Sequence, residues 1–293
     1  MNPGPHVHLD LLHYVREAER LRAAAATWPA TAPLPALPVP AADAPVALLL
    51  SPHPDDEGLT GGWPLRLREA GWRIVNLPVT LGSAMDRREG RWRELQAACA
   101  VLGFELLDAV HRAEGRLDPG VAQRAPAHWA RCVQAVADAL LRWRPQALFF
   151  PHAGDVQPAH VGTHALALDA LRAVGPALRL ATVQTEYWGT LAAPNRMVEL
   201  STEQVARLAA SVACHAGEVA RNPYHLNLPA QCMDAVRRGA ERVGGLGQAA
   251  PSMRFAMLYR VQRWDGGAES SGTVAGRLLP GGADAAAALA VDA

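Results

Sequence analysis

The sequence predicts an α/β protein: a Rossmann-like, mostly parallel sheet flanked by helices, with its site at the carboxyl ends of the strands. Two observations carry this. Short apolar runs of strand length alternate with helical repeats from residue 46 to about 173, and that alternation favours a parallel sheet with right-handed crossovers. Two of those runs, Val46-Ala47-Leu48-Leu49-Leu50 and Ala147-Leu148-Phe149-Phe150, are each followed by a loop rich in His and Asp. In such sheets ligands bind beyond the strand carboxyl ends.

In chain order, residues 7–27 read as an amphipathic helix, with Leu11, Tyr14, Val15, Ala18 and Leu21 at helical spacing. Pro29 to Pro45 is a Pro- and Ala-rich extended linker. Strands are predicted at 46–51, 73–79, 104–110 and 146–151, and helices at 59–70, 87–102, 126–143 and 160–173. In the helix at 87–102, Trp92, Leu95, Cys99 and Leu102 share a face and Gly103 supplies the stop. Further strands are predicted at 181–188, 196–200 and 254–262, and Ser201-Thr202-Glu203-Gln204 opens a helix as a capping box. This divides the chain into residues 1–45 (helix and linker), a catalytic α/β domain over 46–265, and a flexible Gly/Ala-rich tail over 266–293.

Formal net charge is zero, so no nucleic-acid or anionic-membrane partner is expected. All 28 basic residues are arginines, which excludes a P-loop and any lysine Schiff base or lysine general base. Cys99, Cys132, Cys214 and Cys232 form no C-x-x-C pair and read as small buried apolar groups. With no signal pattern and no apolar run of spanning length, the expected address is a reducing cytoplasm. The N-terminal helix is a candidate for docking on the domain or for homo-oligomer formation.

Pro52-His53-Pro54-Asp55-Asp56-Glu57 follows the first strand. Adjacent carboxylates at a strand end repel and resist desolvation, and a divalent cation relieves both. His53 and Asp56, three apart, can reach one ion, which leaves Asp55 to act on water. A catalytic zinc wants a third protein ligand. The second loop offers His152, Asp155, His160 and His164; Pro158 starts a helix there and sets His160 in its first turn, facing the sheet edge. His160 is therefore the chosen ligand, with His164, one turn on, as a supporting group.

Pro-His-Pro-Asp-Asp-Glu followed by Gly61-Gly62 resembles the signature of the PIG-L/LmbE-like zinc-dependent deacetylases. Val79-Thr80-Leu81-Gly82, Arg91-x-x-Glu94-Leu95 with Leu102-Gly103, and Asp155 through His160 resemble three further stretches of that family, over roughly residues 46–220. The resemblance implies removal of an N-acetyl group from an N-acetylglucosamine-type sugar or glycoconjugate. It also implies Zn²⁺, or another divalent metal, on His53, Asp56 and His160, with Asp55 as general base and Arg91 near the substrate. This chain departs from the pattern at Gln157 and Ala159, where the family has His and Asp, and at Ser83, where it has Glu. Gln157 can donate an N–H to an oxyanion but cannot deliver a proton, so either Asp55 serves as both base and acid or another His, with His152 and His164 nearest, supplies the proton. His215 reads as a satisfied core histidine.

Two other readings compete: a same-fold amidase acting on a larger acyl or thiol-conjugate amide, and a metal-binding homologue without hydrolase activity. A nucleotide-binding protein and a serine hydrolase are disfavoured, because G-x-G-x-x-G, G-K-[ST] and G-x-S-x-G are all missing. Trp63, Tyr187, Trp188 and Tyr224 are candidates equally for the core and for stacking on a sugar, and the turn Arg221–His225 is a candidate pocket wall.

Overall fold

Side chains alternate across a strand, so a strand buried on both faces feeds two cores. In the computed structural model, which describes residues 5–28, 34–110, 117–244, 251–270 and 274–290, the strands form one sheet. They are β1 (Val46–Ser51), β2 (Arg73–Pro78), β3 (Glu105–Leu106), β4 (Ala147–Pro151), β5 (Leu180–Thr185), β6 (Arg196–Leu200), β7 (Phe255–Trp264) and β8 (Arg277–Leu279). Their order is β3-β2-β1-β4-β5-β7-β6-β8. From β3 to β5 all neighbours are parallel; β7 runs antiparallel to both β5 and β6, and β8 pairs parallel with β6.

The helices are α1 (Pro5–Ala25), α2 (Asp56–Leu59), α3 (Gly62–Glu69), α4 (Arg88–Leu102), α5 (Val121–Arg124), α6 (Pro126–Trp143), α7 (Pro158–Val174), α8 (Thr202–Ala213), α9 (Ala216–Val219) and α10 (Tyr224–Arg242). Ala47, Leu49, Ile74 and Phe149 face a core covered by α3, α4, α8 and α10. Leu48, Leu50, Val75 and Phe150 face the other, covered by α6 and α7. Each fully buried Leu or Phe contributes roughly 1.5–3 kcal/mol. The strand order reverses between β1 and β4, so the loops after these two strands flank the crevice where doubly wound sheets bind ligands.

Most predicted elements stand where expected, including the capping box at Ser201 and the left-handed Gly103 that ends α4. Four differ. The strand predicted at 104–110 is only Glu105–Leu106, an edge strand; beyond it Leu107 and Val110 still donate to Asn76 and Pro78, without a continuous ladder. The helix predicted at 59–70 breaks at Thr60-Gly61. Pro64 has no N–H to give the Thr60 carbonyl, which instead accepts from the Tyr259 hydroxyl at 2.9 Å. The strand predicted at 181–188 stops at Thr185, leaving Tyr187 and Trp188 in a loop.

The tail is the largest correction. Residues 266–293 are expected to be flexible, yet β8 joins the sheet and Ala285, Ala288 and Leu289 are buried. Buried Arg66 donates to the carbonyls of Leu279, Pro280, Gly281 and Ala283, and Trp63 Nε1 donates to Ala285 at 2.9 Å. Composition is blind to such capture, because the donors come from α3, more than 200 residues earlier in the chain. At the other end, α1 is exposed from Asp10 to Ala24, and Arg22 donates to Asn227. Part of the predicted linker, residues 29–33, lies outside the described residues. All four cysteines are free, and among the described residues no helix is long and apolar enough to cross a membrane.

Candidate metal centre

The loop after β1 is braced before it carries any chemistry. Thr80 donates both its N–H and its hydroxyl to the Pro52 carbonyl. Arg91 reaches in from α4, donating to Pro54 O at 3.2 Å and Leu81 O at 3.3 Å, with its Nε 3.6 Å from Glu218. Gly82 lies at φ 83°, where other residues are strained, and a Cβ there would lie 1.8 Å from the Arg91 guanidinium and displace it. The resemblance implies Arg91 near the substrate; in the structure its donors face two backbone carbonyls and a carboxylate.

His53, Asp56 and His160 come together, with one ligand atom from each within 4.8 Å of the others. Asp56 Oδ2 accepts from the His53 backbone N–H at 2.9 Å. The same oxygen lies 3.5 Å from His53 Nδ1 and 3.4 Å from His160 Nε2. Ligands about 2.1 Å from a tetrahedral zinc are separated by roughly 3.4 Å. His160 Nδ1 faces Asp155 Oδ2 at 3.3 Å, which turns Nε2 toward the cluster. That Nε2 is buried and makes no hydrogen bond among the described residues. A donor set of two imidazoles and one carboxylate, with an orphaned buried nitrogen, fits a divalent metal.

Electrostatics agree. Burial would raise Asp56, but His160 and His53 overcome it and hold the carboxyl well below its ordinary range. Burial would lower His160, yet the Asp56 charge and the Asp155 contact raise it to about 10. The carboxylates of Asp56 and Asp155 thus favour positive charge at His160, and a metal bound there would take the place of its proton. Asp55 behaves oppositely: burial, then the neighbouring Asp56, push it well above the ordinary carboxylate range, against the pull of Arg91. Its backbone lies at φ 119°, and its side chain caps nothing, so the carboxyl is left free.

The remaining predicted residues fall at different places. Gln157 caps α7, its Oε1 accepting from the Ala159 N–H, while its Nε2 sits 3.3 Å from His53 Nε2 at the cluster edge. His164 is not brought to the cluster; its Nδ1 is 3.0 Å from Pro151 O and its ring packs on Phe150. His152 Nε2 donates to Gly189 O at 2.8 Å and its Nδ1 accepts from Gly154 N–H, so both ring nitrogens are engaged. Trp63 is wholly in the core. Tyr187, Trp188 and Tyr224 form an edge-to-face trio with centroids 5.1 to 6.1 Å apart. A cavity of about 540 Å³ runs past Leu59, Thr60 and Tyr187 toward α10. The loop bearing Tyr187 packs against the Asp155 loop, where a Cβ on Gly189 would lie 2.9 Å from Asp155 Cα.

Residues 48–171 match the profile of the PIG-L family, described as GlcNAc-PI de-N-acetylase. This stretch is a PIG-L-family domain. It contains every member of the metal cluster, together with Asp55, Arg91 and Gln157. No curated protein sequence matches the chain. Among solved structures, N,N'-diacetylchitobiose deacetylase from Pyrococcus horikoshii is similar at TM-score 0.55 and 15% identity, over 75% of this chain and 84% of that one. Teicoplanin deacetylase Orf2, in a zinc-inhibited form, is similar at TM-score 0.54 and 17% identity, over 78% and 100%. GalB, the 4-carboxy-2-hydroxymuconate hydratase from Pseudomonas putida KT2440, is similar at TM-score 0.53 and 18% identity, over 74% and 95%. At these identities the likeness establishes the fold.

Three features of this PIG-L domain and its surroundings were not assigned from the sequence: the Asp155–His160 contact, the capping role of Gln157, and a buried Glu57–His215 pair. For Asp155, a carboxylate five residues before a ligand His was the available signal. For the pair no local signal exists, since its members are 158 residues apart.

Proposed function

We propose that the chain is a metal-dependent deacetylase that removes the N-acetyl group from an N-acetylglucosamine-type sugar or glycoconjugate. The observation that carries this is the buried His53–Asp56–His160 cluster with an uncommitted Asp55 beside it, inside a domain whose family is described as a de-N-acetylase. Two similar structures are named deacetylases, one of N,N'-diacetylchitobiose and one of teicoplanin. A hydratase shares the fold, so the reaction is argued from the site.

His53, Asp56 and His160 would hold the ion, zinc by their donor types. When bound, it supplies a Lewis acid that activates water and polarises the amide carbonyl. Asp55 takes the proton of the attacking water; a carboxyl raised by burial is both a better base and able to return that proton. With His152 held by backbone groups and His164 turned to Pro151, Asp55 also protonates the departing nitrogen. Gln157 keeps N–H donors at the cluster edge for the developing oxyanion. The products are acetate and a free amine. The cavity beside Thr60 and Tyr187 also favours the second reading, an amidase acting on a larger acyl group.

The test compares zinc-reconstituted wild type with Asp55→Asn on N-acetylglucosamine, N,N'-diacetylchitobiose and longer N-acyl glucosamines. Wild type is expected to release acetate and amine one-to-one, with Asp55→Asn slower by about 10²–10⁴-fold. Release of longer acyl chains without acetate gives the amidase. Metal-loaded protein that cleaves no amide contradicts both readings.

A further inference from the structure

Glu57 and His215 are both wholly buried, and the hydrolysis derived above makes no use of them. His215 Nε2 donates to Glu57 Oε1 at 2.6 Å. The other oxygen, Oε2, accepts from the backbone N–H of Asp55 at 3.0 Å. Asp55 sits at φ 119°, a left-handed conformation that a non-glycine residue holds only when its surroundings enforce it. No side-chain cap helps, because the Asp55 carboxyl makes none. The Asp55 carbonyl accepts from the N–H groups of Gly58 and Leu59 at 3.0 Å, as a helix start does, and the Glu57 carboxylate is the side chain that holds the Asp55 N–H.

His215 is itself well placed to hold Glu57. It follows α8, donates its N–H to Val212 O at 3.1 Å, and accepts from Glu218 and Val219 to begin α9. The helix carrying Glu57 sits directly on α8: a Cβ on Gly58 would lie 2.5 Å from Ser211 Oγ and 2.7 Å from Val212 Cγ2. Three residues past His215, Glu218 faces Arg91, which donates to Pro54 O. The 215–218 segment thus grips the loop on both sides of the Pro54-Asp55 bond.

We propose that His215 is a positioning residue that acts through Glu57 to hold Asp55 in its left-handed conformation, with the carboxyl free beside the metal cluster. The kinetic part of this rests on the deacetylase reading; the geometric part does not. The experiment uses the full-length, zinc-reconstituted protein in four forms: wild type, His215→Gln, His215→Leu and the paired His215→Leu/Glu57→Leu. The paired change removes the buried charge, so it stays folded if the single change does not. Each form is measured for kcat, KM, zinc content, melting temperature and the Asp55 φ angle in a crystal structure.

His215→Gln, whose amide N–H can replace Nε2, is expected to keep kcat and the positive φ. The leucine forms are expected to lose roughly 10–100-fold in kcat at unchanged KM and zinc content, with Asp55 leaving positive φ. A folded paired variant with wild-type kcat and positive φ at Asp55 overturns the proposal. So does a loss of kcat that tracks loss of zinc and is not restored by glutamine. If wild type cleaves no amide, the deacetylase reading fails, and the Asp55 φ in the leucine forms still decides the positioning role.

Discussion

Asp55 and Asp56 are adjacent in the chain and opposite in chemistry. Asp56 is held ionised by two imidazoles despite its burial, while Asp55 is pushed up by burial and by Asp56 itself. On the proposed function, environments that separate two carboxyls in this way give one to binding and one to proton transfer. Gln157 is one of three positions at which this chain departs from the PIG-L/LmbE-like pattern, and it makes two contacts at once. Removal of its cap on α7 by Gln157→Ala is expected to destabilise the fold by about 1 kcal/mol in a denaturant melt. Loss of its N–H donors is expected to lower kcat by about 10²-fold with little change in KM; an unchanged kcat would leave it only the cap. At this scale the clustering of His53, Asp56 and His160 was legible because each lies in a short string set by a strand end. The Glu57 contact with His215 was not, because only the packing of α2 on α8 creates it.

Among the elements, the helix break after α2 and the ordered tail are one design. Thr60-Gly61 turns the chain so that α3 points Trp63 and Arg66 at residues 279–285, and Tyr259 satisfies the Thr60 carbonyl that Pro64 cannot. Arg66→Met leaves the carbonyls of Leu279, Pro280, Gly281 and Ala283 without their donor. Of these only the contact to Leu279 is buried; Pro280, Gly281 and Ala283 are exposed, so water can take the donor's place there. The variant is expected to lose about 1–3 kcal/mol and to be clipped faster in the tail by limited proteolysis, with zinc content unchanged. Resistance equal to wild type would mean that the tail is held by other contacts. Helical and strand periods marked α4, α6, β1 and β4 well. The same reasoning read the tail as flexible, since Gly, Ala and Ser there bind through backbone carbonyls that carry no sequence signature.

At the scale of the molecule, alternating strands and helices place both loops at the carboxyl edge of the sheet, and the reversal of strand order between β1 and β4 sets them side by side at one crevice. The fold also sets an acid limit. Burial depresses the His164 imidazole below its usual 6.5, more than its contact with Pro151 O offsets. The unfolded chain then binds a proton that the folded chain refuses, so this stability is full above pH 6.5 and is lost as pH falls below it. Between pH 7.5 and 5.5, wild type should lose more melting temperature than His164→Gln; equal losses would contradict the assignment. The measurement that bears most directly on the whole reading is metal content by elemental analysis, after mild purification and zinc reconstitution, of wild type and His160→Ala. About one zinc per chain in wild type, lost in the variant, is the predicted result. No metal in wild type, or full occupancy without His160, would contradict a metal centre built from His53, Asp56 and His160.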